Sequence, residues 1–199
     1  SGELWASPPG RHAAQFIRTP RRPRISIIIP TLNEEQNLRI LLPHLPTWAD
    51  EVVIVDGRST DNTVAVAKSL LPDVRVVLEK RKGKGVALRS GFDAASGDIL
   101  VMMDADGSMD PDEIGLLVRH LRNGADFAKG SRFMQGAGSN DISWLRRIGN
   151  SGFTVLVRLL YGGRYSDLCY GYAAFWSSVV PELGLDGDGF EIETQMNIR

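Results

Sequence analysis

Two carboxylates, Asp104 and Asp106, follow an apolar run at a spacing of one residue in the segment DILVMMDADGSMDP, residues 98–111. The run over 99–103 is uninterrupted, which predicts a strand buried on both faces. Carboxylates this close repel each other unless a cation lies between them. A hard divalent cation that keeps coordination sites open for phosphate oxygens is the natural partner. The pattern therefore indicates a metal that could neutralise a leaving diphosphate.

The same acidic turn mimics the alternating ligand positions of a calcium-binding EF-hand loop. That loop requires glycine at its sixth position and glutamate at its twelfth. This chain has Met109 and Gly115 there, and a buried strand replaces the entering helix. The EF-hand interpretation is therefore rejected.

Length and composition narrow the class of protein. With 199 residues, 43% of them hydrophobic, the chain can bury one substantial core, so one folded domain is expected. A net charge of -1 argues against general nucleic-acid binding. Cys169 is the only cysteine, which rules out an internal disulfide and favours a reducing, cytoplasmic compartment. No apolar stretch approaches the roughly eighteen residues that a membrane span needs.

The N-terminal segment differs from the rest of the chain. Residues 1–24 contain five arginines, one acid and four prolines, without apolar periodicity. We therefore predict a disordered basic arm over 1–23 and a folded domain over 24–199. An electrostatic tether to anionic lipid is the alternative role for the arm. The chain stops inside a helix predicted to start near residue 190, which indicates a domain truncated at its C-terminus.

Strands and helices are predicted to alternate along the domain. Strands are expected at 24–29, 51–55, 74–78, 99–103 and 125–129, with a helix that Asn33 could cap and further helices up to residues 71, 97 and 123. This alternation implies right-handed βαβ crossovers and a parallel sheet. Ligands bind beyond the carboxyl ends of such strands. The residues at those ends are Pro30, Asp56, Glu79 and Asp104.

The basic segment EKRKGKG, residues 79–85, precedes one of the predicted helices. Its spacing fits neither a P-loop nor the dinucleotide-binding glycine fingerprint, so a solvated basic turn is the simple interpretation. However, its four cations lie one helix before the acidic turn, and its glycines would let a ligand approach the backbone closely. We therefore expect an anion to be attracted to the start of the following helix. Asp56, directly at a strand end, is placed to accept a hydrogen bond from a base or a ribose.

Five segments occur in an order that resembles family 2 glycosyltransferases with the GT-A fold. They are PTLNE at 30–34, VDGRSTDNT at 55–63, GKGVALRSG at 83–91, DAD at 104–106 and GSRF at 130–133. The closest likeness is to polyprenyl-phosphate (dolichol-phosphate) mannose or glucose synthases. The resemblance covers residues 24–199 and implies an α/β, Rossmann-like GT-A domain, a mostly parallel sheet with flanking helices.

The resemblance also implies roles for individual residues. The donor-binding residues would be Pro30, Leu32, Glu34, Asp56, Lys84, Asp104 and Ala105. Asp56 would recognise the base, with Lys84 near it. Asp104 and Asp106 would hold Mg²⁺ or Mn²⁺ against the diphosphate. Arg132 would contact the acceptor phosphate, which makes Asp106 and Arg132 the expected catalytic pair.

The expected reaction is inverting transfer of a hexose from a nucleotide diphosphate sugar to a polyprenyl phosphate. A lipid phosphate oxygen is already anionic, so no general base is required. The protein would then be peripheral at the inner face of the cell membrane, and the amphipathic, arginine-bearing stretch 143–160 is a candidate contact.

Three alternatives remain at this point. A hydroxyl acceptor would need a carboxylate base, for which Glu191 and Glu193 are candidates. A sugar-phosphate nucleotidyltransferase would want a glycine- and arginine-rich loop where this chain has TLNE at 31–34. A nucleotide-sugar or calcium-binding module would bind without turnover.

Overall fold

The computed structural model describes residues 5–6, 21–130, 171–189, 192 and 196. One seven-stranded sheet organises them. Its strands are β1 (Trp5–Ala6), β2 (Ile25–Thr31), β3 (Glu51–Asp56), β4 (Arg75–Leu78), β5 (Ile99–Met102), β6 (Phe127–Lys129) and β7 (Ala173–Trp176). Its α-helices within the described residues are α1 (Glu35–Leu41), α2 (Thr63–Leu70), α3 (Lys84–Ala94), α4 (Ile114–Arg122) and α5 (Val180–Leu183). Single 3₁₀ turns lie at Leu42–His44, Pro111–Glu113 and Ser177–Val179.

Four neighbouring strands of the sheet are parallel. In the order β1-β6-β7-β5-β2-β3-β4, strands β5, β2, β3 and β4 are parallel, with Ile28 opposite Met102 and Thr31 opposite Asp56. Strand β7 runs antiparallel between β5 and β6, and β1 pairs antiparallel with β6. The predicted α/β fold with a mostly parallel sheet and flanking helices is confirmed. The parallel register brings the carboxyl ends of β2, β3 and β5 to one edge.

The two central strands form the middle of the core. Every residue of β5 is buried, as the uninterrupted apolar run predicts, and Ile27, Ile28 and Ile29 of β2 are fully covered. Helix α3 approaches this layer closely at Gly91, where a Cβ would lie 2.5 Å from Cγ2 of Ile28 and 2.9 Å from Cγ2 of Val55. Burial of these aliphatic side chains therefore fixes the position of α3 against the sheet.

The first predicted strand ends later than the sequence suggests. Pro30 was expected to stop it, yet β2 continues to Thr31. The carbonyl of Ile28 accepts from Met103 N at 3.1 Å, which shows that this residue faces β5. Pro30, two residues on, faces the same side, but β5 has already ended there. Its missing N–H therefore costs no hydrogen bond of the sheet.

Parts of the basic arm lie against the domain. Trp5 and Ala6 pair with β6. Arg21 forms an ion pair with Asp98 at 2.9 Å, and Arg22 one with Asp50 at 2.7 Å. Residues 1–4 and 7–20 lie outside the described residues, so the disorder predicted for the arm stays a prediction there.

Candidate active site

A cavity of about 750 Å³ opens at the carboxyl edge of the parallel strands. Its volume lies within the range of sites for small-molecule ligands. Its walls come from three turns, which follow β2, β3 and β5, and from the basic loop before α3. The lining residues are Pro30, Thr31, Leu32, Glu34, Gly57, Arg58, Thr60, Arg81, Lys82, Gly83, Lys84, Ala87, Asp104, Ala105 and Asp106.

Contacts between backbone amides and side chains of the same segment hold the acidic turn in shape. Asp104 N contacts Sδ of Met109 at 3.1 Å, and Ser108 N donates to Oδ1 of Asp106 at 3.0 Å. Gly107 has φ +75°, the left-handed conformation that favours glycine. Ala105 is buried and pins the turn to the core. Both aspartates and Ala105 line the cavity, and their predicted roles in metal and donor binding stay predictions.

The first aspartate of the turn is paired with a cation from the basic loop. Nζ of Lys84 lies 2.6 Å from Oδ1 and 2.8 Å from Oδ2 of Asp104. The Lys84 side chain is only 13% exposed. The pair joins the basic and acidic segments, which are twenty residues apart in the sequence, across the cavity wall.

The carboxylate of Glu79 organises the basic loop. It accepts from Arg81 N at 2.8 Å, from Nε at 3.0 Å and from Nη2 at 2.7 Å, and Ser90 Oγ of α3 also donates to it. The Arg81 guanidinium and the Ser90 hydroxyl hold the pKa of Glu79 well below its usual range, and the carboxylate raises the pKa of Arg81. Glu79 itself does not line the cavity; it fixes Arg81, which does.

Two backbone amides at the start of α3, those of Gly85 and Val86, are bonded within the protein, which corrects the expected anion site there. The carbonyl oxygen of Asp188 accepts from Gly85 N at 2.9 Å and from Val86 N at 3.3 Å. These are first-turn donors that a bound phosphate would need. Anion attraction in this region therefore falls to the side chains of Arg81, Lys82 and Lys84. Nothing in the local sequence signals this cap, because Asp188 follows about one hundred residues later.

Asp56 occupies the turn after β3 and is almost fully buried, at 4% exposure. Its Oδ2 accepts from the backbone N–H of Arg58 and of Ser59, both at 3.1 Å. Its Oδ1 is buried and has no hydrogen-bond partner in the described part of the chain. An unpaired buried carboxylate oxygen is costly, so the turn fits a ligand that donates an N–H or O–H. Asp56 does not itself line the cavity, whereas Gly57, Arg58 and Thr60 of the same turn do.

The turns after β2 and β3 hold each other together. Asn33 was expected to cap the helix that follows, and this is wrong: the cap position of α1 is Glu34, without a side-chain cap. Asn33 has φ 58°, and its Oδ1 instead accepts from Thr60 N at 2.8 Å. Asp61 Oδ2 accepts from Glu35 N at 3.1 Å. Pro30, Leu32 and Glu34, in the first of these turns, line the cavity, and their contact with a donor stays a prediction.

The arrangement can accept a metal with diphosphate. No group of three or more metal-ligating side chains exists among the described residues, so a closed protein site is not formed within them. Two carboxylates on a cavity wall suit Mg²⁺ or Mn²⁺, which commonly take one or two carboxylates and complete their coordination with substrate phosphate oxygens. Asp104 and Asp106 fit this donor set.

Several predicted residues cannot be compared with the structure. Arg132, Glu191, Glu193 and Cys169 lie outside the described residues, as does the amphipathic stretch 143–160. In the described part of the chain, no helix is both long and apolar enough to cross a membrane.

The sheet order and the cavity at its carboxyl edge agree with the GT-A fold. The model of glycosyl transferase family 2 matches residues 26–184, and the chain belongs to this family. It is 32% identical over 185 residues to dolichol-phosphate mannosyltransferase of Pyrococcus furiosus, covering 88% of this chain and 53% of that protein. It is 32% identical over 189 residues to polyprenol monophosphomannose synthase of Mycolicibacterium smegmatis, covering 88% of this chain and 71% of that protein.

Solved structures share the fold. Glucosyl-3-phosphoglycerate synthase of Mycobacterium tuberculosis superposes with a TM-score of 0.68 at 24% identity, over 95% of this chain and 70% of that one. The same enzyme in complex with Mn²⁺, uridine diphosphate and phosphoglyceric acid gives a TM-score of 0.67 at 24% identity, over 94% of this chain and 67% of that one. The chain thus spans about half the length of the P. furiosus relative and about two thirds of the solved synthase.

Proposed function

We propose that this glycosyltransferase moves a hexose from a nucleotide diphosphate sugar to a polyprenyl phosphate, with inversion at the anomeric carbon. The observation that carries the proposal is one cavity wall that combines two carboxylates, Asp104 and Asp106, with the cationic side chains of Arg81, Lys82 and Lys84. A diphosphate with a bound divalent metal suits both groups of residues: the metal would be shared with the carboxylates, and the phosphate oxygens would pair with the cations.

The donor end of the reaction follows from these side chains. Asp104 and Asp106 would hold Mg²⁺ or Mn²⁺ against the diphosphate, and the bound metal would stabilise the negative charge on the leaving group. Lys84 and Arg81 add positive charge at the same wall. The unpaired Oδ1 of Asp56 would accept a hydrogen bond from the nucleoside. The uridine diphosphate and Mn²⁺ in the solved synthase support a nucleotide donor and a divalent metal.

The reactivity of a lipid phosphate and the names of two relatives both support a polyprenyl phosphate acceptor. The P. furiosus protein is named a dolichol-phosphate mannosyltransferase and the M. smegmatis protein a polyprenol monophosphomannose synthase, so both names refer to a polyprenyl phosphate. A phosphate oxygen of such a lipid needs no base, and Arg132 is proposed to hold it in line with the anomeric carbon. A lipid acceptor implies peripheral contact with a membrane, at the inner face of the cell membrane in the cytoplasm.

A phosphorylated or neutral hydroxyl acceptor is the second candidate. The observation that favours it is the shared fold with glucosyl-3-phosphoglycerate synthase. This reaction would require a carboxylate base, for which Glu191 and Glu193 are the proposed residues. Membership of the glycosyltransferase family speaks against the nucleotidyltransferase and the non-catalytic binding module.

Turnover with radiolabelled donors decides between these acceptors. GDP-mannose, UDP-glucose and dTDP-glucose should each be offered with Mn²⁺ or Mg²⁺ to polyprenyl phosphate in detergent, to 3-phosphoglycerate and to a free sugar. We expect label in the lipid fraction with one donor, and none in chelator. Arg132→Ala should raise the acceptor KM or lower kcat without weakening donor binding. Efficient transfer to a soluble hydroxyl, with none to lipid phosphate, would contradict the acceptor assignment.

A further inference from the structure

The loop that follows α5, residues 184–189, lies on the first turn of α3. Its backbone supplies the cap described above, in which Asp188 O accepts from Gly85 N and Val86 N. Two glycines make the contact possible: a Cβ at Gly83 would collide with the carbonyl oxygen of Asp188, and one at Gly85 with that of Gly187. The contact is therefore a fitted backbone-to-backbone interface between distant segments.

Arg89 holds this loop from the side of the helix. Its Nη1 donates to the carbonyl oxygen of Gly187, and its Nη2 forms an ion pair with Oδ1 of Asp188. The Arg89 side chain is three-quarters covered, whereas the Asp188 side chain is 72% exposed. A planar guanidinium suits this task because it can bond two acceptors at fixed angles. Arg89 thus connects the second turn of α3 to a carbonyl and a carboxylate of the loop.

The same helix turn carries the cation of the candidate site. Lys84 is the first residue of α3, directly before the Gly85 amide that the loop caps, and it reaches Asp104. The other half of the helix is fixed at Gly91 against the sheet. The first turn is held by the burial of Ala87 in the core and by the loop that caps Gly85 and Val86. The position of Lys84 follows from that of this turn.

We propose that Arg89 is a positioning residue for donor binding: by holding residues 187–188 against the first turn of α3, it keeps Lys84 in place beside Asp104. The inference rests on the proposed function, because it takes the donor diphosphate as the ligand of Lys84. Further along the chain, Ile192 and Met196 are buried in the core. Docking of this later part of the chain is thereby coupled to the donor side of the site.

Amide exchange tests the physical link without any turnover. In Arg89→Ala, the Gly85 and Val86 amides should exchange at least about tenfold faster, while amides of β3 keep their protection. Gly85→Ala disturbs the same contact from the helix, so the Val86 amide should lose protection there although Arg89 is intact. Arg75→Ala is the matched control, because Arg75 also pairs with a carboxylate, Glu51 at 3.6 Å, but lies at the far end of its strand. Unchanged protection in Arg89→Ala would overturn the proposal.

Donor affinity tests the positioning role. Calorimetric titration with UDP and with GDP, each in the presence of Mn²⁺, shows which nucleotide the wild type binds. Arg89→Ala should bind that nucleotide about 5–10-fold more weakly. In turnover, the donor KM of the variant should rise while kcat changes less. Arg89→Lys, which keeps the charge and can reach one of the two acceptors, should recover part of the affinity. A lower Tm with unchanged nucleotide affinity would reduce Arg89 to a structural residue and overturn the proposal. If the wild type binds nucleotide but transfers to no acceptor, the proposed acceptor fails while these two measurements still decide the role of Arg89.

Discussion

The ammonium of Lys84 lies 2.6 Å from a carboxylate oxygen of Asp104, the first aspartate of the acidic turn. Both side chains are largely covered, so the attraction is screened less than at an open surface. The pair also offsets the repulsion between Asp104 and Asp106. A lysine suits such a position because its charge is carried on a flexible stem and can move between partners. In the free protein, Lys84 therefore competes with a divalent cation for Asp104.

Lys84→Met should change metal and donor binding in opposite directions. Without the ammonium, the affinity for Mn²⁺ alone should rise severalfold, because Asp104 no longer has an internal counter-ion. Binding of nucleotide diphosphate with Mn²⁺ should weaken about tenfold or more, because a cation is lost from the diphosphate wall. Titration of Mn²⁺ followed by electron paramagnetic resonance measures the first effect, and calorimetry measures the second.

The matched control is Lys68→Met, since Lys68 is exposed on α2. It should alter neither affinity. A Mn²⁺ affinity that is equal in Lys84→Met and wild type would show that the two cations do not compete.

Asp106→Asn should abolish transfer while the fold persists. The carbonyl of asparagine can still accept from Ser108 N, so the turn keeps its hydrogen bond, but one anionic metal ligand is lost. We expect kcat/KM to fall by at least about a hundredfold and Tm to stay within a few degrees of wild type. Asp112→Asn, an exposed aspartate in the next turn, is the control. Full activity in chelator would contradict the metal role of both aspartates.

Asp56→Asn should act on donor binding. The substitution replaces one carboxylate oxygen by an NH₂ group, which is a donor. The single remaining oxygen cannot accept from the ligand and also from the Arg58 and Ser59 amides. Because a nucleoside contact is present in the ground state and in the transition state, the donor KM should rise about 10–100-fold with kcat less affected. Steady-state kinetics with varied donor measure this, with Asp73→Asn, on an exposed turn, as control. A normal KM would show that Oδ1 does not contact the donor.

The sheet and the acidic turn were predictable from the sequence because their signals are local. A short apolar run such as 99–103 is typical of a buried strand. The alternation of strands and helices then determines which strand ends meet at one edge of the sheet. The sequence therefore predicts that Asp104 and Asp106 lie at this edge of the sheet. The roles of Asn33 and Pro30 were missed because neighbouring elements decide them: Thr60 recruits the side chain of Asn33, and the early end of β5 lets β2 run through Pro30.

Contacts between distant segments carried no such signal. The basic loop and the acidic turn could be assigned to one region, but the Lys84–Asp104 pair depends on the exact placement of the first turn of α3. The cap from Asp188 is made by a backbone carbonyl, which any residue type supplies. Arg89 likewise lies within a helix pattern that marks no special role. Pairings of this kind depend on tertiary packing, so they emerge only from the structure.

Glu79→Gln should weaken stability in a pH-dependent way. The carboxylate, 8% exposed, accepts four hydrogen bonds from Arg81 and Ser90. The side-chain amide of glutamine has only one oxygen that can accept these bonds. Its NH₂ group is a donor and would face the donors of Arg81 and Ser90. Because the folded-state pKa of Glu79 is depressed, its contribution to stability is fully present above its ordinary pKa of 4.5 and is lost as pH falls toward the folded value.

The Tm of Glu79→Gln should therefore lie a few degrees below wild type at pH 7, and the gap should begin to narrow below about pH 4.5. Differential scanning calorimetry of both proteins at pH 7, 5, 4 and 3 measures the gap, with Asp73→Asn, exposed before β4, as the control. The variant also frees the Arg81 side chain at the cavity wall, so the donor KM should rise severalfold at neutral pH. A gap of constant size from pH 7 to pH 3 would mean that the charge of Glu79 does not hold the loop.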